Sequence, residues 1–354
     1  MLRFLLTRLV RLASTSWGIV SVIFLLSRTL PNEQLLARAL ESQGDLTGRP
    51  ITAAERLVAE QQVLHRLRLD QPVFYFSLHR AQAGDQNGWQ WHGFQNQYHQ
   101  WWLHLLRGDL GNSYRDNQPV TCLLKETLYF TLPLTFLAAL LAIVVALGLS
   151  LWMSKHPRWR SSLLAGLYSL DALPLFVVAL SLLYLLANPD ALALFPAYGF
   201  GEMEPTDMWL VRAGTYLYHL VLPILSLVLI TLPGLIAQLD TSLQQELQTD
   251  YVVTARAKGL AFRQVIRHHV LRNAVLPVIT LLTDLLPAMV AGAVVVEVIF
   301  ALPGMGRLMA DAAATRDYPV LQGGVLLIAC VRLISHVVAD WLYAQIDPRL
   351  RSHV

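Results

Sequence analysis

Charge is scarce in this chain. Lys, Arg, Asp and Glu make up only 14% of the 354 residues, against 55% hydrophobic residues. With a mean hydropathy of +0.46, that composition excludes an ordinary soluble domain and fits an integral membrane protein. The formal charge of +3 gives no electrostatic case for a nucleic-acid partner. Cysteine is almost missing as well. Cys122 and Cys330 provide neither a disulfide framework nor a metal spacing, and Cys330 falls in an apolar run. The phosphate-binding pattern GxxxxGK[ST] does not occur, so the chain is not expected to bind or hydrolyse ATP. HxxxH or CxxC spacing with supporting ligands is also missing. His268 and His269 adjoin and so face different sides of a helix. No glycine-flanked serine suggests a Ser-His-Asp arrangement. The expectation is a protein without enzymatic chemistry, cofactor or metal.

What the chain does have is apolar length. Six stretches lie at roughly 9–30, 130–153, 162–187, 215–238, 275–300 and 320–344. Each is close to the ~20 residues that cross a hydrocarbon core. The expected fold is an all-α integral membrane protein with six transmembrane helices. Pro133, Pro174, Pro223, Pro233 and Pro287 predict kinks, which membrane helices tolerate where neighbours line a cavity. Arg3, Arg8 and Arg11 imitate the basic start of a secretory signal. However, the apolar run Leu12 to Leu26 continues into Arg28 and Pro31 without a small-x-small cleavage site, so an uncleaved first span is expected.

Basic residues set the orientation. With the N-terminus in the cytoplasm, the inside segments carry Arg3, Arg8 and Arg11; Lys155, Arg158 and Arg160; Arg256, Lys258, Arg263, Arg267 and Arg272; and Arg349 and Arg351. The outside loops 188–214 and 301–319 carry only Arg212, Arg307 and Arg316. This contrast follows the positive-inside rule, and an even span count returns the C-terminus to the cytoplasm. Residues 31–129 then form a large extracytoplasmic region, with helices expected near 50–69 and 97–107. Its nine Lys and Arg do not oppose the topology, because long segments translocate despite their charge. No fixed-period repeat is present. The expected division is 1–30, the N-terminal end and first span; 31–129; and 130–354, a core of five spans with a cytoplasmic loop at about 239–274.

That loop contains DYVVTARAKGLAFRQVIRHHVLRNAVLPVI, Asp250 to Ile279, a basic segment between two apolar spans. Asp250 gives a short helix an acidic first turn. Tyr251, Ala255 and Lys258 share a face, and Gly259 is a stop signal. Ala255 and Ala257 permit close helix approach. Elsewhere, Gly108-Asp109-Leu110-Gly111 reads as a tight turn with glycines free to take positive φ. Pro303, Gly304 and Gly306 read as a re-entry turn just beyond the fifth span, and both turns read as scaffold.

The loop closely resembles the conserved cytoplasmic loop of ABC-transporter permease subunits. Four further stretches resemble the same family in the same order: RLVRLASTSWGIVSVIFLLSRTLPN near the start, YHQWWLHLLRGDLGNSYRDNQPV at Tyr98–Val120, EVIFALPGMGRLMADAAATRDYPV at Glu297–Val320, and DWLYAQIDPRLR at Asp340–Arg351. Together they are similar to the dipeptide/oligopeptide/nickel branch, and within it to the first of two paired permeases. The resemblance implies the type I ABC importer permease fold. Its expected partners are a second homologous permease, two cytoplasmic ABC ATPases, an extracytoplasmic solute-binding protein and membrane lipid. It places the chain in a bacterial or archaeal inner membrane. It also implies that Asp250, Tyr251, Ala255, Ala257, Lys258 and Gly259 carry ATPase coupling.

Asp171, Asp284 and Glu297 lie in or near apolar spans. An intramembrane charge costs ~2.5–3.5 kcal/mol on insertion scales, so each should face protein or water. They are candidates for lining the pathway, with interhelical hydrogen bonding as the plainer role and gating as another for Glu297. The sequence departs from the family at Ala172, at Gln238 and Asp240, and in additional residues between about 40 and 95, which leaves substrate class open. Short peptides are expected, with nickel or another small solute as the alternative and an ATPase-independent secondary transporter as a different class.

Overall fold

The computed structural model describes residues 2–29, 58, 61–62, 65, 70–79, 88–199, 209–266, 270–274 and 293–346. Asp284, His268, His269, Arg267, the Asp347-Pro348-Arg349 terminus, Arg351, most of the 50–69 stretch and most of the fifth expected span lie outside them. Among the described residues, three helices are long and apolar enough to cross a membrane: Val120–Lys155, Ala213–Leu247 and Tyr318–Ala339. A broken pair, Pro157–Asp171 and Leu175–Leu186, makes a fourth if counted as one span. Its halves bend by 101°. Ala13–Arg28 is a shorter apolar segment within the helix Leu2–Thr29.

The break has a local cause. Leu173 precedes Pro174, and the residue before proline is pushed out of the α region. Pro174 itself is extended at φ −61°, ψ 145° and starts the second half. Pro133 sits inside Val120–Lys155, and Pro223 and Pro233 sit inside Trp209–Leu247, without ending either helix. Nearby hydroxyls turn back onto the backbone: Thr135 Oγ1 donates to Thr131 O at 2.8 Å, and Ser226 Oγ donates to Leu222 O at 2.8 Å.

Contacts divide the chain into two compact units. The first comprises Met1–Ala13, Lys125–Ala310 and Leu327–Val354. Its core runs along Val120–Lys155, where buried Ala138, Ala142 and Ala146 repeat every fourth residue and let helices approach closely. Leu220, Leu227, Leu235, Ile236 and Leu239 of the long Trp209–Leu247 helix join the same cluster. Both halves of the broken pair pack on that long helix. Arg160 grips Asp240 there, with Nε at 3.0 Å from both carboxylate oxygens and a terminal nitrogen at 2.5 Å. This pair explains the acidic departure at position 240: the aspartate is the buried partner of a basic residue eighty positions earlier.

The second unit comprises Ser14–Leu124 and Asp311–Leu326. It holds a two-stranded antiparallel hairpin, Phe76–His79 with Gly88–Trp91, in a region with little helical periodicity. It also holds the helix Gln97–Leu106, capped by Asn96, whose side chain accepts from His99 N at 2.8 Å. The expected turn follows, with Gly108 and Gly111 both at φ +78°. Asp109 accepts from Gly111 N at 2.9 Å and pairs with His104 at 3.0 Å. Those contacts, the Gly111 amide first, hold its carboxyl below the ordinary range. Asp317 is a buried hub, accepting from Ser113 Oγ at 2.5 Å and Tyr114 N at 3.1 Å. It ties the 98–120 stretch to the Asp311–Leu326 segment of the same unit.

Candidate functional site

The helix at the centre of the 239–274 loop spans Asp250–Ala257. Thr249 precedes it in an extended conformation, and Asp250 and Arg256 sit at the ends that suit their charges. Its exit is a Schellman motif. Gly259, at φ +84°, donates to Arg256 O at 2.9 Å, and Leu260 N donates to Ala255 O at 3.3 Å. Glycine takes this left-handed conformation without the steric cost that a β-branched residue would meet.

The loop carries its own small core. Val252 and Ala255 on the helix pack with Val265, Val270 and Ala274 from the following turns, and with Leu243 near the end of the long Trp209–Leu247 helix. The short helix is therefore seated on an extension of a candidate span. Ala255 is buried in this seat. Tyr251, Val253, Arg256, Ala257, Lys258 and Gly259 are exposed. The six sequence candidates thus separate: Ala255 builds the loop from within, and Tyr251, Ala257, Lys258 and Gly259 lie at its surface. Asp250 is likewise exposed, in the first turn.

A polar tie reinforces the seat. The Tyr251 hydroxyl donates to the Glu246 carboxylate, and Asn273 Nδ2 lies 3.4 Å from both groups. Burial, and then the Glu246 carboxylate, push the Tyr251 phenol above its usual range. Glu246 and Asn273 were not among the sequence candidates. Asn273 is 22 positions from Tyr251, which no helical or strand period would reveal.

Glu297 belongs to a second constellation. It is fully buried, accepting from Thr131 Oγ1 at 2.6 Å and from Arg307 N at 3.0 Å. Thr131 Oγ1 also accepts from Met305 N, at 2.8 Å. The helix Met305–Thr315 is thereby held at its start. Gly304 and Gly306 are small here for contact reasons, not for positive φ: a Cβ on Gly304 would lie 2.0 Å from Glu297 Cδ, and one on Gly306 would lie 2.5 Å from Val294 Cα. Asp171 ends its helix at the 101° break and is exposed. Among the described residues, no three His, Cys, Asp or Glu side chains are grouped to hold a metal.

The family described as binding-protein-dependent transport system inner membrane component matches residues 127–352. This chain belongs to that family. It is 34% identical to the oligopeptide transport system permease protein AppB of Bacillus subtilis, over 72% of this chain and 79% of that one. It is 31% identical to the di/tripeptide transport system permease protein DppB of Pseudomonas aeruginosa, over 99% of both chains. The dipeptide permease DppB of Escherichia coli is 29% identical, also over 99% of both. Among solved structures, the inward-facing MetNI methionine ABC transporter aligns with a TM-score of 0.49 at 15% identity, covering 64% of this chain and 97% of that one. Family membership makes the chain a membrane permease subunit rather than an enzyme. The family works with an ATPase and a substrate-binding protein.

Proposed function

We propose that this chain is one permease subunit of an ATP-driven importer of short peptides. It makes six crossings with both termini in the cytoplasm of a bacterial or archaeal inner membrane, and residues 31–129 lie outside. A second, homologous permease completes the pathway. Two ABC ATPases sit beneath, and a peptide-binding protein delivers from above. The peptide substrate is supported by the relatives that align along nearly the whole chain, which are dipeptide and di/tripeptide permeases, and by an oligopeptide permease that aligns over 72% of it. Nickel or another small solute is the alternative cargo.

The observation that carries the mechanism is the self-cored loop on the end of the Trp209–Leu247 helix. A docking element must move as one body with a span if ATPase closure is to reach the pathway. Asp250, Tyr251, Ala257, Lys258 and Gly259 supply or shape its outer surface, and Ala255 seats it. ATP binding closes the ATPase dimer and pushes on this loop, the cavity opens outward, and hydrolysis resets it. In this reading Asp171 and Asp284 are the candidates for the pathway wall. Glu297 acts as a latch on the start of the Met305–Thr315 helix.

Purification of the tagged chain from mild detergent tests the assembly. Two P-loop ATPases and a second permease should accompany it. Recovery of the chain alone, under conditions where known ABC complexes survive, sinks the proposal and favours an ATPase-independent transporter.

A further inference from the structure

From Gln86 to Leu106 the sequence has no Asp, Glu, Lys or Arg, and four of the chain's nine tryptophans fall inside this run, at positions 89, 91, 101 and 102. The hairpin sorts its side chains by face. Phe76 pairs with Trp91, and Trp89 lies two residues along, so all three project to one side. Phe76 contacts both rings, with centroids 4.6 Å from Trp91 and 6.3 Å from Trp89. On the other side Ser77 meets His92 at 2.6 Å. The aromatic side is uncovered: Trp89 is 74% exposed, Trp91 56% and Phe76 48%. An apolar patch of this kind on an extracytoplasmic region marks something it meets.

The first helix says what that is. Tyr98 shares a 2.8 Å hydrogen bond with Ser21. Phe24 packs against Tyr98 and Trp101 at 5.5 and 4.9 Å. Phe74 and Tyr75 of the hairpin arm pack on Tyr98 in turn. Ser21 lies seven residues before Arg28, the charged end of the apolar segment, a rise of about 10 Å. The Gln97–Leu106 helix therefore begins beside the apolar half of the first helix, below its charged end. On that same helix Trp17 is exposed on the side that carries Ser21 and Phe24, and Ile19, Val22 and Leu26 are exposed on the opposite side. Tryptophan and tyrosine favour the level where headgroups meet acyl chains, with the ring body in apolar surroundings and the polar edge wet. Uncharged aromatic rings suit that level because their bodies enter it without a charge to desolvate.

We propose that the hairpin Phe76–His79/Gly88–Trp91, with the helix Gln97–Leu106, is an anchor that sinks its aromatic side into the outer lipid interface beside the first span. The extracytoplasmic region is then held at headgroup level. This rests on the reading above that the first helix spans the membrane with Arg28 outside.

The test uses the full chain, with Cys122→Ser and Cys330→Ser, in phosphatidylethanolamine/phosphatidylglycerol vesicles. Nitroxide labels go on Trp89→Cys, Trp91→Cys, Gln90→Cys and, as an insertion control, Ile19→Cys. Accessibility is measured to oxygen, which concentrates in lipid, and to a water-soluble nickel chelate. The anchor predicts an oxygen-to-nickel ratio several-fold higher at 89 and 91 than at 90. Nickel access at 89 and 91 equal to that at 90 overturns it, because the hairpin then faces water. Low access to both reagents also overturns it, because a protein partner then covers the rings. Ile19 decides the span reading separately. Oxygen access there, with a wet hairpin, refutes the anchor and leaves the span intact.

Discussion

Alanine at Gly304 should dismantle the Glu297 latch, and a second mutation should repair the damage. The new Cβ would lie 2.0 Å from Glu297 Cδ and 2.1 and 2.3 Å from its two oxygens. Non-bonded carbon atoms settle near ~3.5–4.0 Å, so the carboxyl has to leave. Thr131 Oγ1 and Arg307 N then lose their acceptor inside the protein. Each buried group left unmatched costs about 1–3 kcal/mol, or about 2–6 kcal/mol for the two. Glu297→Ala removes the same acceptor and should cost a similar amount. Adding Gly304→Ala to Glu297→Ala should cost less than about 1 kcal/mol, because the obstructing carboxyl is already gone. The cycle therefore predicts strong non-additivity, on the order of several kcal/mol in favour of the double variant. The assay is thermal unfolding of the detergent-purified complex for the wild type, both single variants and the double. A wild-type midpoint for Gly304→Ala, or additive losses in the double variant, would refute the latch.

Gly306→Ala should behave differently: its Cβ meets the Val294 backbone at 2.5 Å, so truncating the Val294 side chain should not restore the unfolding midpoint. At the ion pair, Arg160→Ala should destabilise more than Asp240→Ala. It strands a carboxylate that is 4% exposed, whereas Arg160, at 38% exposed, can turn to solvent. The first loss should approach about 3 kcal/mol in thermal or denaturant unfolding and the second should be about half that. In the loop, Gly259→Val should abolish ATP-driven uptake while the chain still inserts, and Gly259→Asn should keep more of it, because asparagine tolerates positive φ better than a β-branched residue. Ala255→Trp should lower uptake by overpacking the loop core, at about 1–3 kcal/mol, and should raise protease sensitivity within 250–274. The Asp109 turn should hold at neutral pH. Its carboxyl is held low by the Gly111 amide and His104, so its contribution is present above the ordinary aspartate pKa and is lost only as pH falls through the lowered value. Limited proteolysis at Arg107 across an acid series checks this.

Local chemistry was legible in the sequence. The 97–107 helix, the Asp250 helix, its Gly259 stop and the 108–111 turn each follow from residues within a few positions, and each stands where expected. The kink at Pro174 was legible as a kink, but not as a 101° bend, because its size depends on how both halves pack on the Trp209–Leu247 helix. The pairings of Asp240 with Arg160, Asp317 with Ser113 and Glu297 with Thr131 were not legible. They join residues 80 to 204 positions apart, and no period links them. The hairpin had a weak signal, the alternation Trp89-Gln90-Trp91-His92, diluted by surrounding Gly, Gln and Asn. For Gly304 and Gly306 the sequence suggested a turn, whereas their smallness serves close approach, which only the fold reveals.

The most direct test of the account is peptide uptake into vesicles that hold this chain with its second permease and ATPases. Labelled dipeptide is supplied on a binding protein, and ATP is enclosed on the cytoplasmic side. The account predicts accumulation that requires both ATP and the binding protein and that stops in Gly259→Val. Uptake that ignores ATP and follows an imposed proton gradient would contradict it.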